Sequence, residues 1–167
     1  MTIDGGWMPH CPKTDHHQGD QLMKQRVRAV LLTDHGTMLV IKRIRPGIPA
    51  YRVLVGGGVE PEDADLEAAL LREVREEIAG EVAHLRPFCR LENDKGEAED
   101  FYTARILSWN FDDRTGPEFQ RDDRGEYLLE EVPLIVEAID ALNLMPPQIK
   151  DALLDSIREG SLTAPVA

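Results

Sequence analysis

A chain of 167 residues fits one domain with a single core. Its 19 basic and 31 acidic residues give a net charge of −12, which argues against a general nucleic-acid or anionic-membrane binder, because both need a basic face. A hydrophobic share of 42% excludes wholesale disorder, and the two cysteines, Cys11 and Cys89, are too few for a disulfide scaffold and fit a reduced, cytoplasmic compartment.

Residues 1–22 carry Gly5-Gly6, Pro9, Pro12 and three histidines without any period, and read as a flexible leader before a folded unit over 23–160 and a tail over 161–167. His10, Cys11, His16 and His17 lack the paired spacing of a zinc module. No secretory signal or membrane span is visible, since Asp4, Pro9 and His10 interrupt the N-terminus and no apolar run reaches roughly 18 residues. Residues 26–33 and 38–43 read as a hairpin around Asp34-His35-Gly36-Thr37. A loop at Pro46-Gly47-Ile48-Pro49 leads to a short strand over 51–55, which Gly56-Gly57-Gly58 ends. Pro61 with Asp63 or Asp65 starts a helix over 66–78, rich in Ala, Leu, Glu and Arg, and Gly80 closes it.

Strands follow at 82–91 and 100–109 around Asn93-Asp94-Lys95-Gly96, then a long polar loop over 111–125 and a last strand over 127–132. Helices at 134–142 and 148–157 end the chain, the second with Ile149, Leu153 and Ile157 on one face. Strands thus precede, surround and follow one central helix. That order predicts an α/β (α+β) fold, a mixed β-sheet with helices on both faces.

The chemistry concentrates at the central helix. At 100° per residue, Glu73, Glu76 and Glu77 share a sector of roughly 100° that borders the apolar stripe Leu70, Val74, Ile78. In an acidic chain such a cluster is often just a solvated face. Bordering the core, however, three carboxylates need protonation, pairing or a cation, and Arg72 and Arg75 offset only part of the charge. The glycine triplet removes side chains beside them, so that backbone carbonyls can join the carboxylates as hard oxygen ligands for Mg²⁺. It is neither a Walker loop nor a dinucleotide fingerprint.

Arg72-Glu73-Val74-Arg75-Glu76-Glu77 and Gly57-Gly58-Val59-Glu60-Pro61 resemble the signature G-x5-E-x7-R-E-U-x-E-E-x-G-U of Nudix hydrolases, U being aliphatic. The likeness extends over roughly residues 25–157. Two departures stand out. Counted from Gly58, Ala64 occupies the first glutamate position, whereas counted from Gly57, Asp63 occupies it with one extra residue before the helix. Ala79 stands at the closing glycine and Gly80 at the aliphatic position.

The resemblance implies an α/β/α sandwich with a catalytic loop-helix, and a hydrolase that cleaves the phosphoanhydride of a nucleotide or nucleoside-diphosphate derivative with water. It implies Glu73, Glu76, Glu77 and a Gly57 carbonyl as ligands of one to three Mg²⁺ or Mn²⁺ ions, with Arg72 supported by the first acidic position, here Asp63. The general base is then either a glutamate of that signature, Glu76 or Glu77, or a loop glutamate, Glu118 before Glu126. Arg28, Arg45 and Arg52 lie best for phosphate oxygens and Tyr51 for a base, while Phe101, Tyr102 and Trp109 read equally as core or as stacking residues. Homodimers are common in the family. A second reading keeps the fold as a non-catalytic nucleotide-sensing domain. A third, isomerase-like chemistry, needs a cysteine–glutamate pair, for which Cys89 is the candidate cysteine.

Overall fold

The computed structural model describes residues 24–162, so the leader with its His10, Cys11, His16, His17 cluster and the last five residues of the tail lie outside the described residues. β1 (Gln25–Leu32) and β2 (Thr37–Ile44) form the expected hairpin, closed by a Thr33 N–H to Thr37 carbonyl bond of 2.9 Å. They pair with each other only at its closed end, Leu31 opposite Leu39 and Leu32 opposite Met38, and then diverge. The opening is filled by β3 (Tyr51–Val53), paired with β2, and β4 (Val55–Gly58), paired with β1.

Here the structure departs from the sequence reading. The glycine triplet does not end a strand but forms one, with Val27 opposite Gly57 and Arg28 opposite Gly56. The reason is close approach. Gly56 has φ 144°, and a Cβ on it would stand 2.7 Å from the Arg28 Cα.

Four further strands complete a mixed sheet. β6 (Ala98–Ser108) runs parallel to β1, β5 (Glu81–Glu92) antiparallel to β6, and β7 (Glu126–Pro133) antiparallel along the far edge of β2. β8 (Leu144–Met145), too short for any period to announce it, lies parallel to β3.

Alternation along the strands gives each face its own core. On one face Val27, Ala29, Leu31, Leu39, Ile41 and Val55 meet Leu70, Val74 and Ile78 of α1 (Leu66–Ile78). On the other, Val30, Met38, Val40, Leu54 and Phe101 meet Ile139 of α2 (Val136–Asp140) and Ile149 and Leu153 of α3 (Pro147–Arg158). The α/β/α sandwich expected from the element order is present. The helix expected over 134–142 is shorter: the Leu134 N–H still bonds the Gly36 carbonyl at 2.9 Å and the chain stays extended through Ile135 (φ −129°, ψ 153°). Leu162, assigned to the tail, is buried in the core, and its N–H donates to the Ser156 carbonyl at 3.2 Å.

The end of α1 also differs from expectation. The left-handed residue is Ala79 (φ 47°, ψ 42°), not Gly80. Gly80 is needed for space, since a Cβ there would stand 2.8 Å from Val74 Cγ1 and 3.0 Å from Ile78 Cδ1. Ala79 therefore carries left-handed strain that a glycine would relieve. Ala79→Gly is expected to raise unfolding stability by about 1 kcal/mol in urea denaturation, with an unchanged m-value.

Candidate active site

α1 delivers carboxylates to β4. The Asp65 side chain caps its N-terminus, accepting from the Ala68 N–H at 2.7 Å. Leu70, Val74 and Ile78 seat the helix on the sheet, each contributing about 2 kcal/mol of burial. That seating carries Glu73 and Glu77 into the interface, where they are only 8% and 9% exposed. Glu77 Oε2 accepts from the Gly56 N–H at 2.7 Å. Glu73 lies flush against Gly57, whose missing Cβ would stand 2.5 Å from Glu73 Oε1. Glu76, one residue away, stays partly open to solvent.

Arg72 ties loop to helix. Its Nε and Nη2 fork onto Asp63 at 3.0 and 2.9 Å, and Nη2 also donates to the Gly58 carbonyl at 2.9 Å. Nη1 reaches Glu73 Oε1 at 3.0 Å and Glu76 Oε2 at 3.3 Å. Asp63 is held ready by a tight turn in which its Oδ2 accepts from the Glu60 N–H at 2.8 Å. The two aspartates at the helix start thus divide the work, Asp65 capping and Asp63 pairing with Arg72. The extra residue before the helix is absorbed in the turn.

Burial pushes the Glu77 carboxyl up to about 8, against the Gly56 N–H and the Arg28 guanidinium, which favour the ionised form. Burial also raises Glu73, opposed by Arg72. The hydrogen bond from Arg72 holds Asp63 below the usual carboxylate range, and the same bond raises Arg72.

The long loop comes to the same place. The Thr115 and Gly116 N–H groups donate to the Glu76 carbonyl at 2.8 and 3.0 Å, and the Asn110 N–H donates to the Ile78 carbonyl at 2.9 Å. These are carbonyls that the last turn of α1 leaves open. The latch brings Glu118 close enough for its charge to act on both Glu73 and Glu77. Glu126 instead starts β7 opposite Ile44.

The residues expected at substrate do not converge. Arg28 lies on the α3 side of the sheet, largely buried, with Nη1 donating to the Leu54 carbonyl at 2.8 Å and to Gly56 at 3.3 Å. Burial lowers its pKa while Glu99 opposes the shift, and Arg28 acts as a countercharge beneath the glycine strand. Arg52, on the same face, forks onto Glu130 at 2.9 and 3.3 Å. Arg45 approaches Gly125, where a Cβ would stand 3.1 Å from its Cγ. Tyr51 is on the α1 side, opposite Arg43 across β2 and β3. Phe101 and Tyr102 are core, and Trp109 packs against the α1 cluster. The sequence reading missed a stack on the α1 side: Arg43 over Tyr127 at 3.7 Å, Tyr127 edge-on to Phe119 at 4.7 Å, and Arg114 over Phe119 and Phe111. Its members are brought together by register across β2 and β7 and by the loop, which no local pattern reveals.

Among the described residues, no three acidic, histidine or cysteine side chains are gathered into a ready-made metal cage. The donor chemistry nevertheless fits a hard divalent cation. Two buried carboxylates each commit one oxygen, Glu73 Oε1 to Arg72 and Glu77 Oε2 to Gly56, and leave the second available. Gly57, where a Cβ would collide with Glu73, leaves the backbone bare beside them.

Sheet topology and site together define a class, an α/β/α sandwich organised around one loop-helix with an arginine-bridged acidic cluster. The NUDIX domain family model matches residues 23–152, and the chain belongs to the Nudix family. Solved structures with the same fold include a NUDIX hydrolase from Nitrosomonas europaea, 17% identical with a TM-score of 0.61, covering 86% of this chain and 93% of that one. The E. coli ORF135 protein is 21% identical, with a TM-score of 0.57 and coverage of 87% and 96%. An ADP-ribose pyrophosphatase from Streptococcus suis is 18% identical, with a TM-score of 0.57 and coverage of 86% and 96%. No curated protein matches the chain in sequence.

The raised Glu77 carboxyl sets a pH dependence. A folded value of about 8 against an ordinary 4.5 means that its contribution is fully present below 4.5 and is lost as pH rises through 8. In a chelating buffer the thermal midpoint should fall across that window. Glu77→Gln, which keeps an acceptor for Gly56, should flatten the fall; an unchanged slope in the variant would contradict the assignment.

Proposed function

We propose that this Nudix-family chain is a Mg²⁺- or Mn²⁺-dependent hydrolase that cleaves a phosphoanhydride bond in a nucleotide or nucleoside-diphosphate derivative. The observation that carries the reading is the burial of Glu73 and Glu77 against Gly56 and Gly57, with Arg72 bridging Glu73, Glu76 and Asp63. Glu73, Glu76 and Glu77, with the Gly57 carbonyl, would hold the cation, which supplies Lewis acidity at phosphorus and cancels the repulsion between an acidic site and a diphosphate.

The chain's own residues do the rest. Arg72 and Asp63 fix the loop to the helix, so that the carboxylates keep their geometry when a polyanion enters. Glu118, carried in on the latched loop, is the general base that takes a proton from the attacking water. The water oxygen forms the new P–O bond, the bridging P–O bond of the anhydride breaks, and the leaving phosphate carries off the bridging oxygen. Arg45 and Tyr51 remain the candidates for phosphate and base. Arg28 and Arg52 are already committed to Leu54, Gly56 and Glu130, and serve the site by holding the sheet beneath it.

Structural neighbours named for ADP-ribose and for UDP-X make nucleoside-diphosphate conjugates the first panel to try. Wild-type protein is expected to release phosphate or nucleotide products from one member with Mg²⁺ or Mn²⁺. Glu77→Gln is expected to fold and lose at least ~10²-fold in kcat; full activity in that variant would refute the mechanism. A second reading, a nucleotide-sensing domain without turnover, draws support from Arg72, which already engages Glu73 and Glu76. Tight nucleotide binding in calorimetry with no product across the panel would favour it.

A further inference from the structure

Gly116 has φ −54° and ψ 134°, backbone that any residue adopts, so the turn itself does not require a glycine. The space where its side chain would be is taken by Glu118. A Cβ on Gly116 would stand 2.5 Å from Glu118 Oε1, 2.9 Å from its Cδ and 3.0 Å from Phe119 Cε2. The same residue donates its N–H to the Glu76 carbonyl at 3.0 Å, beside the Thr115 bond of 2.8 Å. The Glu118 carboxylate is therefore folded back over the peptide that latches the loop onto α1.

The next residue is clamped from three sides. Phe119 meets Phe111 edge-on at 6.2 Å and Tyr127 at 4.7 Å, and Arg114 lies 4.9 Å over its ring. Arg114 also covers Phe111 at 4.3 Å and donates from Nη1 to the Phe111 carbonyl at 2.8 Å, which closes the clamp on the loop's own backbone. A short helical turn over Pro117–Gln120 carries both residues, so fixing Phe119 restricts where Glu118 points.

Resting on the hydrolase reading above, we infer that Gly116 is a positioning residue: its missing Cβ lets the Glu118 carboxylate fold back over the peptide held on the Glu76 carbonyl, beside the helix that carries Glu73 and Glu77. The clamp on Phe119 then keeps that carboxylate from swinging into solvent. Glu118 touches the chemistry, whereas Gly116 acts only through it. Adding one methyl group at Gly116 should displace a carboxylate four bonds long without changing the fold.

The test compares Gly116→Ala, Glu118→Gln and the double variant by three readouts: kcat and KM on whichever substrate the panel yields, Mn²⁺ affinity without substrate, and thermal midpoint. Gly116→Ala should melt close to wild type and keep its KM. Its kcat should fall by ~10²-fold, comparable to Glu118→Gln. Mn²⁺ affinity should weaken several-fold in both single variants, because one displaces and the other removes a negative charge near the site. The double variant should be no worse than Glu118→Gln alone. Wild-type kcat and Mn²⁺ affinity in Gly116→Ala overturn the inference, as do single-variant losses that multiply in the double. Wild-type protein that neither binds Mn²⁺ nor turns over any substrate brings down the hydrolase reading, and this inference with it. That result is distinct from an active wild type with an equally active Gly116→Ala.

Discussion

Two carboxylates are pressed against the backbone of a glycine strand, and most of what surrounds them follows from that constraint. Glu77 takes the Gly56 N–H, and Glu73 occupies the place where a Gly57 side chain would be. Burying an unpaired carboxylate costs several kcal/mol, so the group must stay protonated, find a cation or be paired. The apolar stripe of α1 forces the burial, the glycines make room for it, and Arg28 beneath the strand offsets part of the charge. The burial is only partly compensated within the protein, by the Gly56 N–H on Glu77 and by Arg72 on Glu73.

Arg72 is the second organiser. Its five donors reach the loop through Asp63 and Gly58 and the helix through Glu73 and Glu76. The loop over residues 111–125 adds a third element, hooked to the open carbonyls of α1 and clamped by Arg114, Phe119 and Tyr127. The glycine strand with the turn that follows it and the sequence-distant loop thus meet on one helix. Each is fixed mainly by backbone hydrogen bonds or a bidentate guanidinium, which is the rigidity that positional catalysis requires.

The sandwich and its central helix were legible in the sequence because both leave local signals: aliphatic runs on either side of Asp34-His35-Gly36-Thr37 for β1 and β2, and the Leu70, Val74, Ile78 stripe beside Glu73 and Glu77. The acidic cluster was legible for the same reason, since helix spacing alone puts those side chains on one sector. What depended on pairing between distant segments was not. The strand character of Gly56–Gly58 comes from β1, and the split of β3 from β4 comes from the way β1 and β2 diverge. The engagement of Arg52 with Glu130 and the stack of Arg43 on Tyr127 follow from cross-strand register. The reversed Ala79-Gly80 order is explained only in three dimensions, where Val74 and Ile78 crowd Gly80 and leave Ala79 to take the left-handed turn.

The most direct measurement is calorimetric titration of the protein with Mn²⁺ near pH 7 in buffers of different ionisation enthalpy. With the Glu77 carboxyl raised to about 8, most molecules carry its proton before a cation arrives. Binding at this site should therefore release about one proton per ion, a release that Glu77→Gln abolishes. Binding with the same apparent enthalpy in every buffer, or a full proton release that survives in Glu77→Gln, would contradict the claim that a buried carboxylate at β4 is the heart of the site.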